Sequence, residues 1–243
     1  MRALVLAAGA GTRLLPFTAD RPKPMVPICG EPAIAHILRW LARNGVADVA
    51  INLHYHPRVL TDFVGDGSRL GARVRYSLEP EILGTAGALR PLRAFLASEE
   101  AFVIVYGDVL TDLPLPEVVG AHRAAGADAT IVLTHVEDPT RAGVVSFDAW
   151  GRVTRFAEKP GAGDVFSSWA NAGVYVCGPA VLEHVAPDGP QDFGRDLFPA
   201  MLNAGRRLQA YPTEATVIDF GAPERLTDAE AWVRADREAA SPC

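Results

Sequence analysis

The sequence predicts an α/β fold: a mixed, mostly parallel sheet flanked by helices, with an antiparallel extension. Three observations carry this. Apolar runs of strand length alternate with amphipathic helical stretches through the first half of the chain. The run Phe102–Tyr106 is apolar throughout, as a strand covered on both faces requires. After Ala142 the pattern changes to short strands paired around a tight turn.

The elements follow in order. Arg2–Leu6 reads as a buried first strand running into a glycine loop. Residues 1–10 resemble a short signal peptide, but the apolar run is brief and Thr12 and Arg13 follow at once. Residues 33–44 carry Ile34, Ile37, Leu38 and Leu41 at i, i+3, i+4, i+7, a helix face that Gly45 stops. Asp48–Leu53 is a strand, Pro57–Val64 a short helix, 74–78 a strand, and 85–96 a helix with one internal proline. Leu115–Ala125 is helical and 129–134 a strand. Residues 144–147 and 153–156 flank Asp148-Ala149-Trp150-Gly151 as a β-hairpin. Residues 172–176 form another strand, and 179–185 and 197–204 short helices. Val217 and Ile218 end a last strand, and 223–238 is a terminal helix with proline near its start. With no linker or low-complexity segment, residues 1–243 read as one domain. Hexapeptide repeats are missing, which predicts no appended parallel β-helix.

Composition narrows the function classes. At ~150 residues per domain, 243 residues suit one or two domains. Hydrophobic residues at 49% and charged residues at 21% are ordinary for a soluble globular chain. Lys and Arg number 23 against 29 Asp and Glu, a net charge of −6, which argues against a nucleic-acid partner. One local basic pocket would still serve a phosphorylated small substrate. Cys29, Cys177 and Cys243 form no disulfide framework and no metal-ligand spacing, so they read as incidental thiols of a reducing cytoplasm. No apolar run approaches the ~18 residues of a membrane helix, so no membrane partner is expected.

The first chemical signal is Leu6-Ala7-Ala8-Gly9-Ala10-Gly11-Thr12-Arg13. A glycine turn directly after a strand lets backbone N–H groups approach phosphate oxygens. A dinucleotide fingerprint would want glycine at position 14, where Leu14 stands, and an acidic residue after a second strand. The chain instead enters the proline-rich loop Asp20-Arg21-Pro22-Lys23-Pro24, and the Gly-Lys-Ser/Thr of a Walker loop is missing. Arg13 and Lys23 stand ten residues apart, and the flanking prolines hold Lys23 in an extended loop. A fixed lysine beside a phosphate-cradling loop suits negative charge developing on phosphorus.

Residues 6–28, LAAGAGTRLLPFTADRPKPMVPI, resemble the signature of the sugar-1-phosphate nucleotidyltransferases, or NDP-sugar pyrophosphorylases. The resemblance continues in family order through Leu83-Gly84-Thr85-Ala86-Gly87, Tyr106-Gly107-Asp108, Phe156-Ala157-Glu158-Lys159-Pro160, Asn171-Ala172-Gly173-Val174-Tyr175 and Ile218-Asp219-Phe220-Gly221-Ala222-Pro223-Glu224. It implies a Rossmann-like fold with a mainly nucleotide-binding half over 1–142 and, over 143–243, a mainly sugar-binding half and the C-terminal helix. It implies a reaction joining a nucleoside triphosphate to a sugar 1-phosphate, giving an NDP-sugar and pyrophosphate. The implied nucleotide site is Leu6, Ala7, Ala8, Gly9, Gly11, Thr12, Arg13, Lys23, Glu79, Gly84, Thr85 and Asp108. Arg13, Lys23 and Asp108 are its implied catalytic residues.

Asp108 follows a buried apolar strand at the carboxyl edge of the sheet, where such sheets bind ligands, and Asp219 follows another short apolar strand. Each alone also reads as a turn or cap residue. At positions matching the family, the resemblance implies that the pair holds Mg²⁺. It assigns Glu158 to sugar hydroxyls, Lys159 to the sugar phosphate, and Gly143 and Asn171 to the sugar. Relatives often place an aromatic residue before that glycine, whereas Ala142 stands here. The sequence leaves open whether the chain forms a homo-oligomer.

The base is read from Glu79, five residues before Gly84, where uridylyl- and thymidylyl-transferring relatives often have glutamine. An ionised carboxylate only accepts hydrogen bonds, and guanine offers two adjacent donors where uracil offers one. The stretch EPEILGTAG also resembles guanylyl-transferring members acting on mannose or heptose 1-phosphate, so GTP is expected. The alternatives are uridylyl transfer, since members acting on N-acetylmuramate 1-phosphate are similar over much of the chain, and a non-catalytic nucleotide sensor. Glu79 also reads as an exposed strand-end residue. His54 and His56 read as surface residues. Asp192-Phe193-Gly194 resembles a kinase triplet, but without a catalytic-loop motif before it reads as the turn before a helix.

Overall fold

β1 (Arg2–Leu6) lies in the middle of the sheet in the computed structural model, which describes residues 1–239. Ala3, Leu4 and Val5 are all fully buried. Strand alternation sorts them between two cores, Ala3 and Val5 to one face and Leu4 to the other. A small antiparallel ribbon, β2 (Pro27–Ile28) and β3 (Glu31–Pro32), leads into α1 (Ala33–Arg43). α1 buries Ile34, Ile37, Leu38 and Leu41 against the first core, as their spacing requires. β4 (Asp48–Leu53), α2 (Pro57–Val64) and β5 (Arg73–Leu78) follow. β4 pairs with β1, and β5 with β4, both parallel.

The expected helix over 85–96 is two short pieces, α3 (Gly84–Gly87) and α4 (Arg93–Leu96). Pro91 lies between them; it lacks an N–H and disfavours helical backbone at Arg90. β6 (Phe102–Tyr106) then takes the free edge of β1, in parallel, with Leu6 beside Tyr106. β7 (Val109–Thr111) was not expected; three residues after a Gly-Asp turn carry too little pattern.

α5 (Leu115–Ala125) and β8 (Ala129–His135) agree with the sequence reading. β9 (Gly143–Phe147) and β10 (Val153–Glu158) form the antiparallel hairpin. β11 (Trp169–Cys177) is longer than expected. Its first residues pair with β8, across a register shift between Asn171 and Tyr175 that masks the alternation. Residues 179–185 form a 3₁₀ turn, Pro179–His184, and a π-helical turn, Phe193–Leu197, precedes α6 (Phe198–Asn203). β12 (Leu208–Pro212) was missed because Gln209 and its closing Pro212 hide it. β13 (Val217–Asp219) pairs with β7 as a separate ribbon, and α7 (Pro223–Ala239) closes the described chain. α7 buries Ala229 and Val233 and leaves Asp228, Arg234 and Glu238 in solvent.

The main sheet runs β10-β9-β11-β6-β1-β4-β5, with β8 on β11 and β12 on β8. Its parallel centre and antiparallel flank are the mixed α/β architecture that the sequence predicted. Among the described residues no helix is long and apolar enough to cross a membrane. Cys177 is buried, Cys29 is half-buried, and Cys243 lies outside the described residues.

Candidate active site

β1 and β6 end side by side, and a cleft of about 880 Å³ opens beyond their carboxyl ends. Of the residues singled out in the sequence, Leu6, Ala7, Ala8, Gly9, Arg13, Lys23, Glu79, Gly84, Thr85, Asp108, Gly143, Glu158, Lys159, Asn171 and Asp219 line it. Gly11 and Thr12 do not. Gly11 is buried beneath the stem of Lys23, its carbonyl accepting from Thr18 Oγ1 at 2.8 Å, and Thr12 opens a 3₁₀ turn on the surface.

Two carboxylates and two cations meet where β1, β6 and the β7–β13 ribbon converge. Asp108 lies between β6 and β7, and Asp219 ends β13 opposite Val109. Lys23 Nζ donates to Asp108 Oδ2 at 2.7 Å, and both side chains are well covered. Gly221 N–H donates to Asp219 Oδ1 at 2.7 Å. A Cβ added at Gly221 would lie 2.8 Å from Asp219 Oδ1, 3.3 Å from Lys23 Nζ and 3.4 Å from Arg13 Nη2. The missing side chain there is what lets these three ends approach. Asp219 opens onto the cleft but has protein on its other sides. This desolvation, and then the charge of Asp108, raise its carboxyl above the usual range. One oxygen of each carboxylate takes no hydrogen bond from the described residues.

The loop after β1 is held by a buried network. Ala7 N–H donates to Asn52 Oδ1 at 2.7 Å, and Asn52 Nδ2 donates to Glu79 Oε1 at 2.8 Å. Glu79 Oε2 accepts from Leu83 N–H at 3.0 Å. Glu79 is 2% exposed, so it is not the exposed strand-end residue of the alternative reading. Ala8 and Gly9 donate their N–H groups to no described protein atom and line the cleft. His54 faces inward, its Nδ1 2.8 Å from the Glu79 carbonyl, while His56 is exposed at the start of α2. No metal-holding group of three or more His, Cys, Asp or Glu exists among the described residues.

The opposite wall comes from the antiparallel flank. Glu158 Oε2 sits in a slot between glycines, 2.7 Å from where a Cβ would stand at Gly143 and 2.6 Å from one at Gly194. Burial raises its carboxyl, with Lys159 and Arg195 opposing. Lys159 adopts a left-handed φ of 49°, fixed by its N–H donating to the Ala142 carbonyl at 3.0 Å. Such backbone strain in a non-glycine residue, of order 1–3 kcal/mol, is found where a side chain must be aimed. Asn171 Nδ2 donates to Tyr175 Oη at 2.7 Å, and Asn171 Oδ1 accepts from Gly173 N–H at 3.0 Å. Its amide is thereby oriented, with one N–H left over.

Sequence reasoning gave no role to several cleft residues, among them Asn52, Tyr106 and Asp192. Asn52 is a buried polar residue inside an apolar strand, a signal in itself. Tyr106 was quoted in a motif without a role; its hydroxyl meets that of Tyr175 at 3.2 Å, and burial pushes its pKa up to about 12. Asp192, read as a turn residue, also faces the cleft.

The chain is 35% identical over 228 residues to a mannose-1-phosphate guanyltransferase of Schizosaccharomyces pombe, covering 92% of this chain and 62% of that one. It is 34% identical over 233 residues to a UTP–glucose-1-phosphate uridylyltransferase of Synechocystis, covering 91% and 60%. The chain thus spans about six tenths of the length of these curated relatives. The crystal structure of HddC from Yersinia pseudotuberculosis complexed with GMP-PN superposes with a TM-score of 0.81 at 27% identity, covering 96% of this chain and 99% of that one. With its family model matching residues 2–235 over this fold and cleft, the chain belongs to the nucleotidyl transferase family.

Proposed function

We propose that the protein transfers a guanylyl group from GTP to a mannose- or heptose-type sugar 1-phosphate, giving a GDP-sugar and pyrophosphate. The observation that carries this is the convergence of Arg13, Lys23, Asp108 and Asp219 at one end of a cleft whose far wall holds Glu158 and Lys159. On this reading residues 1–142 mainly bind the nucleotide and residues 143–243 mainly bind the sugar, with Asp219 reaching across to the phosphates. Both substrates are small molecules.

The attacking oxygen of the sugar phosphate is ionised near neutral pH, because a second phosphate pKa is about 6. No strong general base is therefore required. That oxygen bonds to the α-phosphorus as the bond to the β-phosphate oxygen breaks, and pyrophosphate leaves in line. The N–H groups of Ala8 and Gly9, with Arg13, receive the leaving pyrophosphate. Lys23 stabilises the α-phosphoryl group, and Lys159 anchors the attacking phosphate.

The free oxygens of Asp108 and Asp219 are hard donors on adjacent strand ends, and burial, then the charge of Asp108, raises Asp219. They suit Mg²⁺, which characteristically binds one or two carboxylates and completes its shell with phosphates and water. Asp108 and Asp219 would hold the ion, whose charge offsets repulsion between the phosphates.

Glu79 supports guanine. Asn52 and Leu83 each donate to one of its oxygens and so fix an acceptor-only group in the wall of the cleft, the chemistry that favours the adjacent donors of guanine. A second reading, uridylyl transfer, has the Synechocystis relative on its side. Measuring kcat/KM for GTP, UTP, dTTP, CTP and ATP with mannose 1-phosphate separates them. GTP is expected to be the best donor, and a clear UTP preference would overturn the guanylyl assignment.

A further inference from the structure

Asn52 is the penultimate residue of β4, in register with Leu6 of β1 on one side and Ser77 of β5 on the other. Val49, Ile51 and Leu53 pack into the first core and Ala50 into the second, so strand alternation turns Asn52 to the second face. It is buried, at the border of the cleft. A carboxamide in such a place is costly unless its hydrogen bonds are made.

Those bonds have a fixed direction. The Ala7 N–H has no acceptor among the described residues except Asn52 Oδ1, at 2.7 Å. That settles which end of the amide faces the loop after β1. Nδ2 must then face Glu79, and it donates to Oε1 at 2.8 Å. The Leu83 N–H takes the other oxygen, Oε2, at 3.0 Å. Two donors that cannot reverse thus converge on residue 79, and both ends of its side chain must accept. Glutamate does this. Glutamine has a single oxygen, so its NH₂ would face either Asn52 Nδ2 or the Leu83 N–H, donor against donor. The requirement for two acceptors at position 79 is therefore passed from the Ala7 N–H through Asn52.

We propose that Asn52 is a positioning residue for the choice of nucleobase: it holds residue 79 as an acceptor and ties it to the loop after β1, so that base preference belongs to the Asn52–Glu79 pair. This rests on the guanylyl reading, in which the Glu79 carboxylate takes the donors of guanine. The pairing has a consequence in the combined variant Asn52→Asp with Glu79→Gln. The new aspartate accepts from the Ala7 N–H with one oxygen and from the new glutamine NH₂ with the other, while the glutamine oxygen still accepts from the Leu83 N–H. All three bonds survive with the middle one reversed, and the net charge is unchanged. Residue 79 then offers a donor beside an acceptor, which suits the N3–H and carbonyl of uracil better than the two donors of guanine. Either substitution alone sets like against like at a buried contact.

Melting temperatures, and kcat/KM for GTP and UTP with mannose 1-phosphate, are measured for the unmodified protein, both single variants and the double variant. The double variant should melt above each single variant. Its kcat/KM ratio of GTP to UTP should fall at least about tenfold below that of the unmodified protein, and KM for mannose 1-phosphate should stay within about twofold. Asn52→Ala removes the clamp without adding a charge. Both triphosphates should suffer through the Ala7 loop, and GTP about tenfold more than UTP. If Asn52→Ala does not fold, the double variant carries the test. A double variant that fails to fold, or melts no higher than the single variants, overturns the inference. So does an Asn52→Ala loss that is equal for both triphosphates, which makes Asn52 a support of the loop alone. An unmodified protein that prefers UTP overturns the guanylyl reading, and with it the part of this inference that concerns guanine; the melting temperatures still decide whether residues 52 and 79 act as a pair.

Discussion

Replacing Gly11 with alanine should damage both stability and turnover, and the two effects can be separated. Gly11 has φ +67°, a left-handed conformation that costs an alanine about 1–2 kcal/mol. The added Cβ would also lie 2.5 Å from Lys23 Cγ and 3.0 Å from Thr18 Cγ2. Cγ belongs to the middle of the lysine stem, so the stem must move and its 2.7 Å bond to Asp108 must lengthen. Gly205 provides the control. Its φ is +71°, and an added Cβ would meet nothing within 4 Å, so alanine there carries the conformational cost alone. At roughly 2–4 °C per kcal/mol for a chain of this size, Gly205→Ala should lower Tm by about 2–8 °C with kcat unchanged. Gly11→Ala should lose at least as much, and its kcat should fall by about tenfold to a hundredfold, the value of one charge-assisted hydrogen bond. Melting curves and a pyrophosphate-release assay give both quantities. Equal kcat in the two variants would refute the argument that Gly11 seats Lys23.

Asp108→Asn and Asp219→Asn should each cut turnover severely at limiting Mg²⁺ while preserving the fold by circular dichroism; near-normal activity in either would remove the two-carboxylate site. Lys159→Ala should chiefly raise KM for the sugar phosphate, whereas Arg13→Ala and Lys23→Ala should chiefly impair triphosphate use and turnover; steady-state kinetics in both substrates decide, and a Lys159→Ala effect confined to GTP contradicts the assignment. Glu31 accepts from Arg39 at 2.7 and 2.8 Å and from Arg237 at 3.3 Å, and the Arg39 bonds hold its carboxyl below the usual range. A lowered carboxyl contributes stability above its unfolded pKa and loses it as pH falls through the folded value. Glu31→Gln should therefore cost about 0.5–1 kcal/mol near pH 7, the range of a partly exposed pair, and that difference should vanish in acid. Equal melting temperatures at neutral pH would count against it.

The elements that bring Arg13, Lys23 and Asp108 to the cleft were legible because their signals are local. The apolar run of β1, the glycines that follow it and the proline-flanked Lys23 lie within one short stretch, although Lys23 opens a 3₁₀ turn (Lys23–Met25) where an extended loop was expected. The helix over 85–96 failed at Pro91, where an amphipathic pattern outvoted a backbone constraint. β7 and β12 were hidden because short strands are fixed by their neighbours more than by their own alternation. The site shows the same division. Glu79 was found by its place before Gly84, but its burial and its bonds to Asn52 and Leu83 depend on strands from separate parts of the chain. Asp192 was dismissed as a turn residue because nothing near it in sequence mentions Thr85, which lies 107 positions away. Contacts of that span are set by topology, and only the folded chain displays them.

The most direct test of the central claim is a ³¹P NMR time course of the purified protein with GTP, mannose 1-phosphate and Mg²⁺. The account predicts that GDP-mannose and pyrophosphate appear in equal amounts as both substrates decline, and that a chelator stops the reaction. Release of inorganic phosphate without a sugar nucleotide, or no change in any phosphorus signal with this or any other triphosphate and sugar 1-phosphate pair, would contradict it.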